Sequence, residues 1–87
     1  MAMTESEIKD KIRAFILNEF MTDMDPAELT DDMSFESAHL VDSVGMMDLI
    51  LFVEETFEFE VENEEALPEN FDSINNLIGY VTKKQAE

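Results

Sequence analysis

Three stretches of the chain repeat apolar residues at helical intervals, and this periodicity constrains the fold more than any other feature. In the first stretch the apolar positions are Ile8, Ile12, Phe15, Ile16 and Phe20. Residues three or four apart share one side of a helix, so each stretch can bury an apolar face against its neighbours. Thr4 and Glu7 have the spacing of a capping box, which marks a helix start. We therefore predict a helix over residues 4–21.

The other two stretches predict a helix over residues 43–57 and another over residues 72–84. The apolar stripe of the first of these comprises Val44, Met47, Leu51 and Phe57, widened by Ile50 and Val53. In the last helix, Asp72 is a good N-cap residue, and Lys83 and Lys84 lie in the final turn, where cations suit the helix dipole. Its apolar face comprises Ile74, Leu77, Ile78 and Val81.

The segments between these helices lack a sustained period. Residues 22–42 contain Pro26 and are predicted to form a long loop. We expect Leu29 and Phe35 to anchor it to the core, because an unattached loop of this length is unusual in a compact domain. A short helix is expected at about residues 64–68. The 87 residues thus predict one all-α domain, a small bundle of three to four helices with a long loop between the first and second.

The charge balance is strongly acidic, with 22 Asp and Glu residues against 5 Lys and Arg residues and a formal net charge of −17. Such a surface repels nucleic acid and anionic membranes and attracts basic protein surfaces. No apolar run approaches the roughly 18 residues that span a bilayer, and the first residues lack the pattern of a secretory signal. We expect a cytoplasmic monomer that does not bind nucleic acid and does not insert into a membrane.

The chain contains no cysteine. This excludes disulfides, thiolate catalysis and thiolate metal ligands together. Any thiol that the protein uses must therefore be supplied by a cofactor.

A group of acids in the long loop raises the question of calcium binding: Asp23, Asp25, Glu28, Asp31 and Asp32. An EF-hand loop needs alternating ligands, a glycine at its sixth position and a terminal glutamate. Counted from Asp23 the sixth position is Glu28, and counted from Asp25 it is Thr30. Because neither register fits, we predict no specific metal site and only loose binding of divalent cations by the acidic surface.

Ser43, His39 and Asp42 supply the residue types of a catalytic triad. Their spacing argues against a triad, because Asp42 adjoins Ser43 and the sole histidine lies four residues upstream in a predicted loop. No glycine-flanked nucleophile elbow surrounds the serine. We predict that His39 is an exposed loop residue and that the chain is not an enzyme.

Ser43 stands at the predicted start of the second helix, where a side chain is exposed and the first helical N–H groups suit a phosphate. One interpretation is that its hydroxyl is an attachment point. The other is that Asp42 or Ser43 merely caps the helix, as such residues commonly do. The position alone favours the cap, whereas the surrounding sequence pattern favours the attachment point.

The run "DSVGMMDLILFVEETFEFEV", residues 42–61, resembles the acyl carrier protein family, which includes peptidyl and D-alanyl carriers. In this family an Asp-Ser pair opens the second helix, an apolar residue follows, and an acid-Leu pair comes five residues after the serine, here Asp48-Leu49. A pair of glutamates, a phenylalanine at the helix end and an apolar alternation come next, matched by Glu54, Glu55, Phe57, Phe59 and Val61. The resemblance covers nearly the whole domain.

The resemblance implies that Ser43 carries a covalent 4′-phosphopantetheine arm, with Asp42 as part of the attachment site. A separate phosphopantetheinyl transferase moves the arm from coenzyme A with its own Mg²⁺, and the arm's thiol holds acyl groups as thioesters. The partners implied are this transferase and acyl-loading ligases or synthases with basic docking surfaces. The docking residues on the second helix are then Asp42, Val44, Met47, Asp48, Glu54 and Glu55.

Several positions depart from the family pattern. Leu40 replaces the usual glycine before the Asp-Ser pair, Asp48 replaces the more usual glutamate, and Gly45 stands where central fatty-acid carriers have an acid. Since a helical glycine costs about 0.5–1 kcal/mol relative to alanine, we expect Gly45 to serve close approach of a partner or of the arm. The departures favour a specialised carrier in a fatty-acid, polyketide or related pathway. The alternatives are an aminoacyl or peptidyl carrier, including a D-alanyl carrier, and an acidic helical adaptor with no prosthetic group.

Overall fold

The computed structural model describes residues 3–21 and 25–87. Within these two ranges the chain forms four α-helices and two 3₁₀ turns and has no β-strand. The helices are α1 (Glu5–Phe20), α2 (Ser43–Phe57), α3 (Pro68–Phe71) and α4 (Ile74–Ala86), and the turns are Pro26–Glu28 and Asn63–Glu65. The predicted all-α class is confirmed. Among the helices of the described ranges, none is both long enough and apolar enough to cross a membrane.

The capping box predicted at the start of α1 is present. The Thr4 hydroxyl accepts a hydrogen bond from the Glu7 N–H at 3.2 Å, and the Glu7 carboxylate accepts one from the Thr4 N–H at 3.1 Å. This backbone bond, followed by one from the Thr4 hydroxyl, lowers the pKa of Glu7 below its ordinary value of 4.5. Ile8, Ile12 and Ile16 then follow one another at four-residue spacing and are fully buried.

The core draws on all four helices and on the loop between α1 and α2. Leu29 and Phe35 are buried, which confirms that they anchor this loop. The helical core residues are Ile8, Ile12, Ile16, Leu49, Val53, Phe57, Phe71, Ile74, Leu77, Tyr80 and Val81.

The apolar stripe predicted for α2 is wrong at three positions. Val44, Met47 and Leu51 remain 67%, 70% and 53% exposed. The buried positions of the helix are Gly45, Leu49, Val53 and Phe57. α2 therefore carries apolar side chains on two sides, and only one of them is covered by the rest of the bundle.

The short helix expected at about residues 64–68 is also wrong. The chain makes the Asn63–Glu65 turn and then starts α3 at Pro68. Proline disfavours the helical conformation in the residue before it, so a helix cannot run through Leu67 into Pro68. At the first position of α3, by contrast, the missing N–H of proline costs nothing.

Ser73, not the predicted Asp72, caps α4. The Ser73 hydroxyl accepts a hydrogen bond from the Asn76 N–H at 3.1 Å. The Asp72 carboxylate is used elsewhere, because it accepts hydrogen bonds from the Ser34 hydroxyl and from the Glu36 N–H, the latter at 3.0 Å. Asp72 thereby ties residues 34–36 of the long loop to the junction of α3 and α4.

The beginning of the same loop is held by basic residues of α1. Arg13 donates a hydrogen bond to the Leu29 carbonyl at 2.7 Å, and Lys9 forms an ion pair with Asp31. The Asp31 carbonyl also accepts a hydrogen bond from the Asn75 N–H at 2.9 Å. The loop is thus held at Leu29 and Asp31 and again at Ser34 and Glu36, and the residues that follow lead into Asp42 and Ser43.

Candidate functional site

Asp42, the residue before Ser43, is the N-cap of α2. Its Oδ1 atom accepts a hydrogen bond from the Gly45 N–H at 2.7 Å, and its carbonyl accepts one from the Met46 N–H at 2.8 Å. Ser43 is the first residue of α2 and is exposed. The capping requirement is therefore met by Asp42, and the Ser43 hydroxyl takes no part in it.

The Ser43 hydroxyl lies where a phosphate group is favoured. In the described part of the chain, the N–H groups of Ser43 and Val44 have no acceptor. Such groups at a helix start carry partial positive charge and can bind an anion. A phosphodiester on the Ser43 oxygen would lie beside these two donors, so the residues present fit a phosphate-linked prosthetic group.

A surface cleft of about 540 Å³ opens beside Ser43. Its lining comes from the start of α2, from the long loop, from the first residue of α3 and from Asp72, which follows α3. The lining residues are Phe35, Glu36, Val41, Asp42, Ser43, Met46, Pro68 and Asp72. Only Asp42 and Ser43 were predicted as site residues, because no local pattern indicates that three separate segments meet here. The residues missed are Phe35, Glu36, Val41, Met46, Pro68 and Asp72.

Gly45 lies against the Phe20 side chain at the end of α1. A Cβ atom at this position would lie 2.8 Å from Cε1 of the Phe20 ring and 3.3 Å from Oδ1 of Asp42. The close neighbour of Gly45 within this chain is the Phe20 side chain, and the expectation that Gly45 serves a partner or a prosthetic arm stays a prediction.

Most of the predicted docking residues lie together on one exposed side of α2. Residues three or four apart are neighbours on a helix surface, and five exposed residues of α2 have this spacing. We call them the exposed α2 face: Val44, Met47, Asp48, Leu51 and Glu55. Leu51 was assigned only to the apolar stripe, and its exposure adds it to this face. Three apolar side chains flanked by two acids form a surface suited to a partner with apolar and basic groups.

Glu54 differs from the other predicted docking residues. Its Oε2 atom accepts a hydrogen bond from the Val61 N–H at 2.9 Å, and the residue is half-buried. Glu54 therefore holds the segment that follows α2, and replacing it would disturb the fold as well as any docking.

The alternative sites considered from the sequence gain no geometric support. In residues 3–21 and 25–87, no hydrogen bond joins the side chains of His39, Asp42 and Ser43. His39 is exposed and has a φ angle of 56°. Within the same ranges no group of three or more His, Cys, Asp or Glu side chains is arranged to hold a metal ion, and Asp23 lies outside the described residues.

The chain is similar to curated acyl carrier proteins along nearly its whole length. It is 30% identical to that of Akkermansia muciniphila and 30% identical to that of Lactobacillus johnsonii, each over 83 residues that cover 95% of this chain and 99% of the relative. It is 29% identical to that of Thermosynechococcus vestitus over 84 residues, covering 97% of this chain and 99% of the relative. No protein-family model matches the chain.

Proposed function

The chain belongs to the acyl carrier protein family, and from this premise we propose that Ser43 carries a 4′-phosphopantetheine arm. The single observation that carries the proposal is that Asp42 caps α2, which leaves the hydroxyl of the adjoining Ser43 exposed at the helix start. The two N–H groups at this start support the same assignment, because they favour the phosphate that joins the arm to the serine. Proteins of this family are carriers, and the partner enzymes supply the catalysis.

Loading requires a group transfer that this chain does not catalyse. A phosphopantetheinyl transferase joins the Ser43 oxygen to a phosphorus of coenzyme A, the pyrophosphate bond breaks, and the adenosine bisphosphate leaves. The serine proton passes to a base of the transferase. When bound, the arm supplies a thiol that holds acyl groups as thioesters, a function that a chain without cysteine cannot provide from its own residues. Ser43 presents an exposed hydroxyl oxygen to the transferase, and Asp42 stabilises the start of α2 by capping it.

The exposed α2 face is proposed as the docking surface for these enzymes. Val44, Met47 and Leu51 offer apolar contact, and Asp48 and Glu55 offer charges complementary to a basic partner. The net charge of −17 supports steering of such partners over a distance set by the ionic strength. Because this face begins one residue after Ser43, an enzyme that binds it reaches the arm at the same time.

The cargo belongs to a fatty-acid, polyketide or related biosynthetic pathway, and an aminoacyl or peptidyl cargo is the alternative. Gly45 does not bear on this choice, because its contact with Phe20 gives it a packing role.

Because the chain has no cysteine, a titration of free thiols detects the arm with no background signal from the protein itself. The purified protein is incubated with coenzyme A, Mg²⁺ and a broad-specificity phosphopantetheinyl transferase, and free thiols are titrated after the coenzyme A is removed. We expect about one thiol per chain in the wild type and none in Ser43→Ala. A wild-type chain that gains no thiol under any condition would support the acidic adaptor instead.

A further inference from the structure

Met47 is the most exposed methionine in the described part of the chain. It is 70% exposed, whereas Met21 is 2% exposed and Met3, Met33 and Met46 are half-buried. An oxidant dissolved in water reacts with a methionine sulfur that it can reach, so oxidation follows the accessibility of the side chain. Among the described methionines, Met47 is therefore the one that such an oxidant reaches most readily.

Met47 lies about one helical turn after Ser43, on the same side of α2. Residues four apart are neighbours on a helix surface, and both of these residues are exposed. Val44, three residues before Met47, and Leu51, four residues after it, are exposed as well. Met47 is therefore the centre of the apolar part of the exposed α2 face, and an enzyme that reaches the Ser43 hydroxyl from this side covers Met47 with its own surface.

The adjoining Met46 has different surroundings. It is half-buried and lines the cleft beside Ser43, whereas Met47 does not line that cleft. Two consecutive methionines of the same chemistry thus lie on different sides of α2. Met46 is therefore a matched control for Met47.

We propose that Met47 is a modification site, and that oxidation of its sulfur to the sulfoxide weakens docking of the enzymes that act on Ser43. This inference rests on the proposed function, since it needs a partner that covers Met47 on its way to the serine. The thioether is a flexible apolar group that adapts to a partner surface. The sulfoxide oxygen is polar, and burying it against an apolar surface without a hydrogen bond costs free energy. The core of α2 keeps its packing, because its buried side chains Leu49, Val53 and Phe57 contain no sulfur.

The oxidant is a peroxide, represented here by hydrogen peroxide. The Met47 sulfur attacks one peroxide oxygen with a lone pair, a sulfur–oxygen bond forms and the oxygen–oxygen bond breaks. The attacked oxygen loses its proton, the leaving hydroxide takes up a proton, and water is released. The sulfur loses two electrons, and the peroxide gains them. Methionine sulfoxide reductases reverse the step: the sulfoxide oxygen leaves as water, and a dithiol is oxidised to a disulfide.

The test measures the loading of Ser43 before and after oxidation. The full chain without its arm is treated with hydrogen peroxide, the peroxide is removed with catalase, and peptide mapping by mass spectrometry gives the oxidised fraction of each methionine. We expect Met47 to be oxidised faster than Met3, Met21, Met33 and Met46. Since an unpaired polar group is then buried on docking, kcat/KM for loading by the broad-specificity transferase should fall about fivefold or more. Methionine sulfoxide reductases with dithiothreitol should restore it, and the circular dichroism should stay unchanged throughout.

Two variants separate Met47 from the other methionines. Met47→Leu and Met46→Leu are each compared with their own untreated samples, so that any effect of the substitution itself cancels. We expect peroxide to leave kcat/KM of Met47→Leu within about twofold of its untreated value and to lower that of Met46→Leu as in the wild type. Met1 and Met24 lie outside the described residues. Both remain oxidisable in each variant, so they do not explain a difference between the two.

Three results overturn the inference: loading that is unchanged when Met47 is fully oxidised, an equal loss in Met47→Leu, or oxidation of Met47 no faster than that of the half-buried methionines. An untreated wild-type chain that is never loaded on Ser43 contradicts the proposed function itself. Normal loading before oxidation, followed by any of the three results, contradicts this inference alone.

Discussion

Oδ1 of Asp42 lies 2.7 Å from the Gly45 nitrogen, so the start of α2 is capped by the residue before Ser43. Ser43, which we propose as the attachment point, is therefore not needed to cap the helix. Two neighbouring polar side chains thus have different roles, and substitutions can distinguish them.

Asp42→Ala is expected to lower the free energy of unfolding by about 0.5–2 kcal/mol, because the Gly45 N–H loses its acceptor. Ser43→Ala is expected to change it by no more than about 0.5 kcal/mol. Urea unfolding followed by circular dichroism measures both values, and Asp42→Asn serves as a control that retains an acceptor oxygen. A loss in Ser43→Ala as large as that in Asp42→Ala would show that the serine is the cap.

The two glycines of the chain are expected to respond oppositely to alanine. At Gly79 a Cβ atom meets nothing within 4 Å, so Gly79→Ala should stabilise the protein by about 0.5–1 kcal/mol through its helix propensity. At Gly45 the Cβ atom lies 2.8 Å from the Phe20 ring, and the overpacking should outweigh the propensity gain, for a net loss of about 1–2 kcal/mol.

Thermal unfolding of the two variants checks this pair. Phe20→Leu combined with Gly45→Ala is the control, since a smaller side chain at position 20 makes room for the new methyl group. If Gly45→Ala is as stable as Gly79→Ala, the close approach of the Phe20 ring is not the reason for the glycine.

Reversing two acids of the exposed α2 face should slow loading without unfolding the protein. Asp48 and Glu55 are exposed, so Asp48→Lys with Glu55→Lys should change stability little. The transferase rate is expected to fall about tenfold or more at low salt and by less at high salt, because ions screen the charges. The matched control is Glu60→Lys with Glu64→Lys, which makes the same change in net charge elsewhere. Equal rates in both double variants would assign the effect to net charge and remove the docking role.

Glu54→Lys is expected to behave differently from this pair. It removes the carboxylate that accepts a hydrogen bond from the Val61 N–H, so the variant should lose stability by about 1–3 kcal/mol. Glu54→Gln retains an acceptor and should lose less. A stable Glu54→Lys protein with slow loading would place Glu54 among the docking residues after all.

The Glu65 carboxylate is expected to contribute stability that depends on pH. A hydrogen bond from Lys84 is the main cause that holds the pKa of Glu65 below its ordinary value of 4.5. Conversely, the bond to Glu65 raises the pKa of Lys84, and burial together with Glu65 raises the pKa of Tyr80. A carboxyl whose pKa is lowered by folding stabilises the protein above about pH 4.5, and this contribution is lost as the pH falls through the lowered pKa.

The comparison of wild type with Glu65→Gln isolates this contribution from the general effect of acid on a chain of net charge −17. We expect the wild type to have the higher urea midpoint at pH 7 and the difference to shrink below about pH 4.5. A difference that is the same at pH 3 and pH 7 would mean that the ion pair with Lys84 adds no stability.

The helices were predictable because their signals are local. The capping box at Thr4 needs only one turn of chain, and the four-residue spacing of Ile8, Ile12 and Ile16 needs little more than two. The buried side of α2 was not predictable in this way. Met47 and Leu49 are both apolar, yet Met47 is exposed and Leu49 is buried, and the contact of Gly45 with Phe20 joins residues 25 positions apart.

The proposal that Ser43 is the attachment point could be made from the sequence only through the resemblance, and the cleft beside Ser43 could not be predicted from the sequence at all. Asp72 and Ser73 are both good capping residues, and the choice between them depends on Ser34, 38 residues away from Asp72. The same contact brings Glu36 and Asp72 to the cleft. Such long-range contacts leave no periodic pattern in the chain.

Mapping the site of modification tests the central claim most directly. The transferase product is digested, and tandem mass spectrometry locates the arm among the five serines of the chain, Ser6, Ser34, Ser37, Ser43 and Ser73. We predict one phosphopantetheine per chain, found on Ser43 alone, and an unchanged mass for Ser43→Ala under the same conditions. An arm on another serine, or a wild-type chain that stays unmodified, would contradict the account.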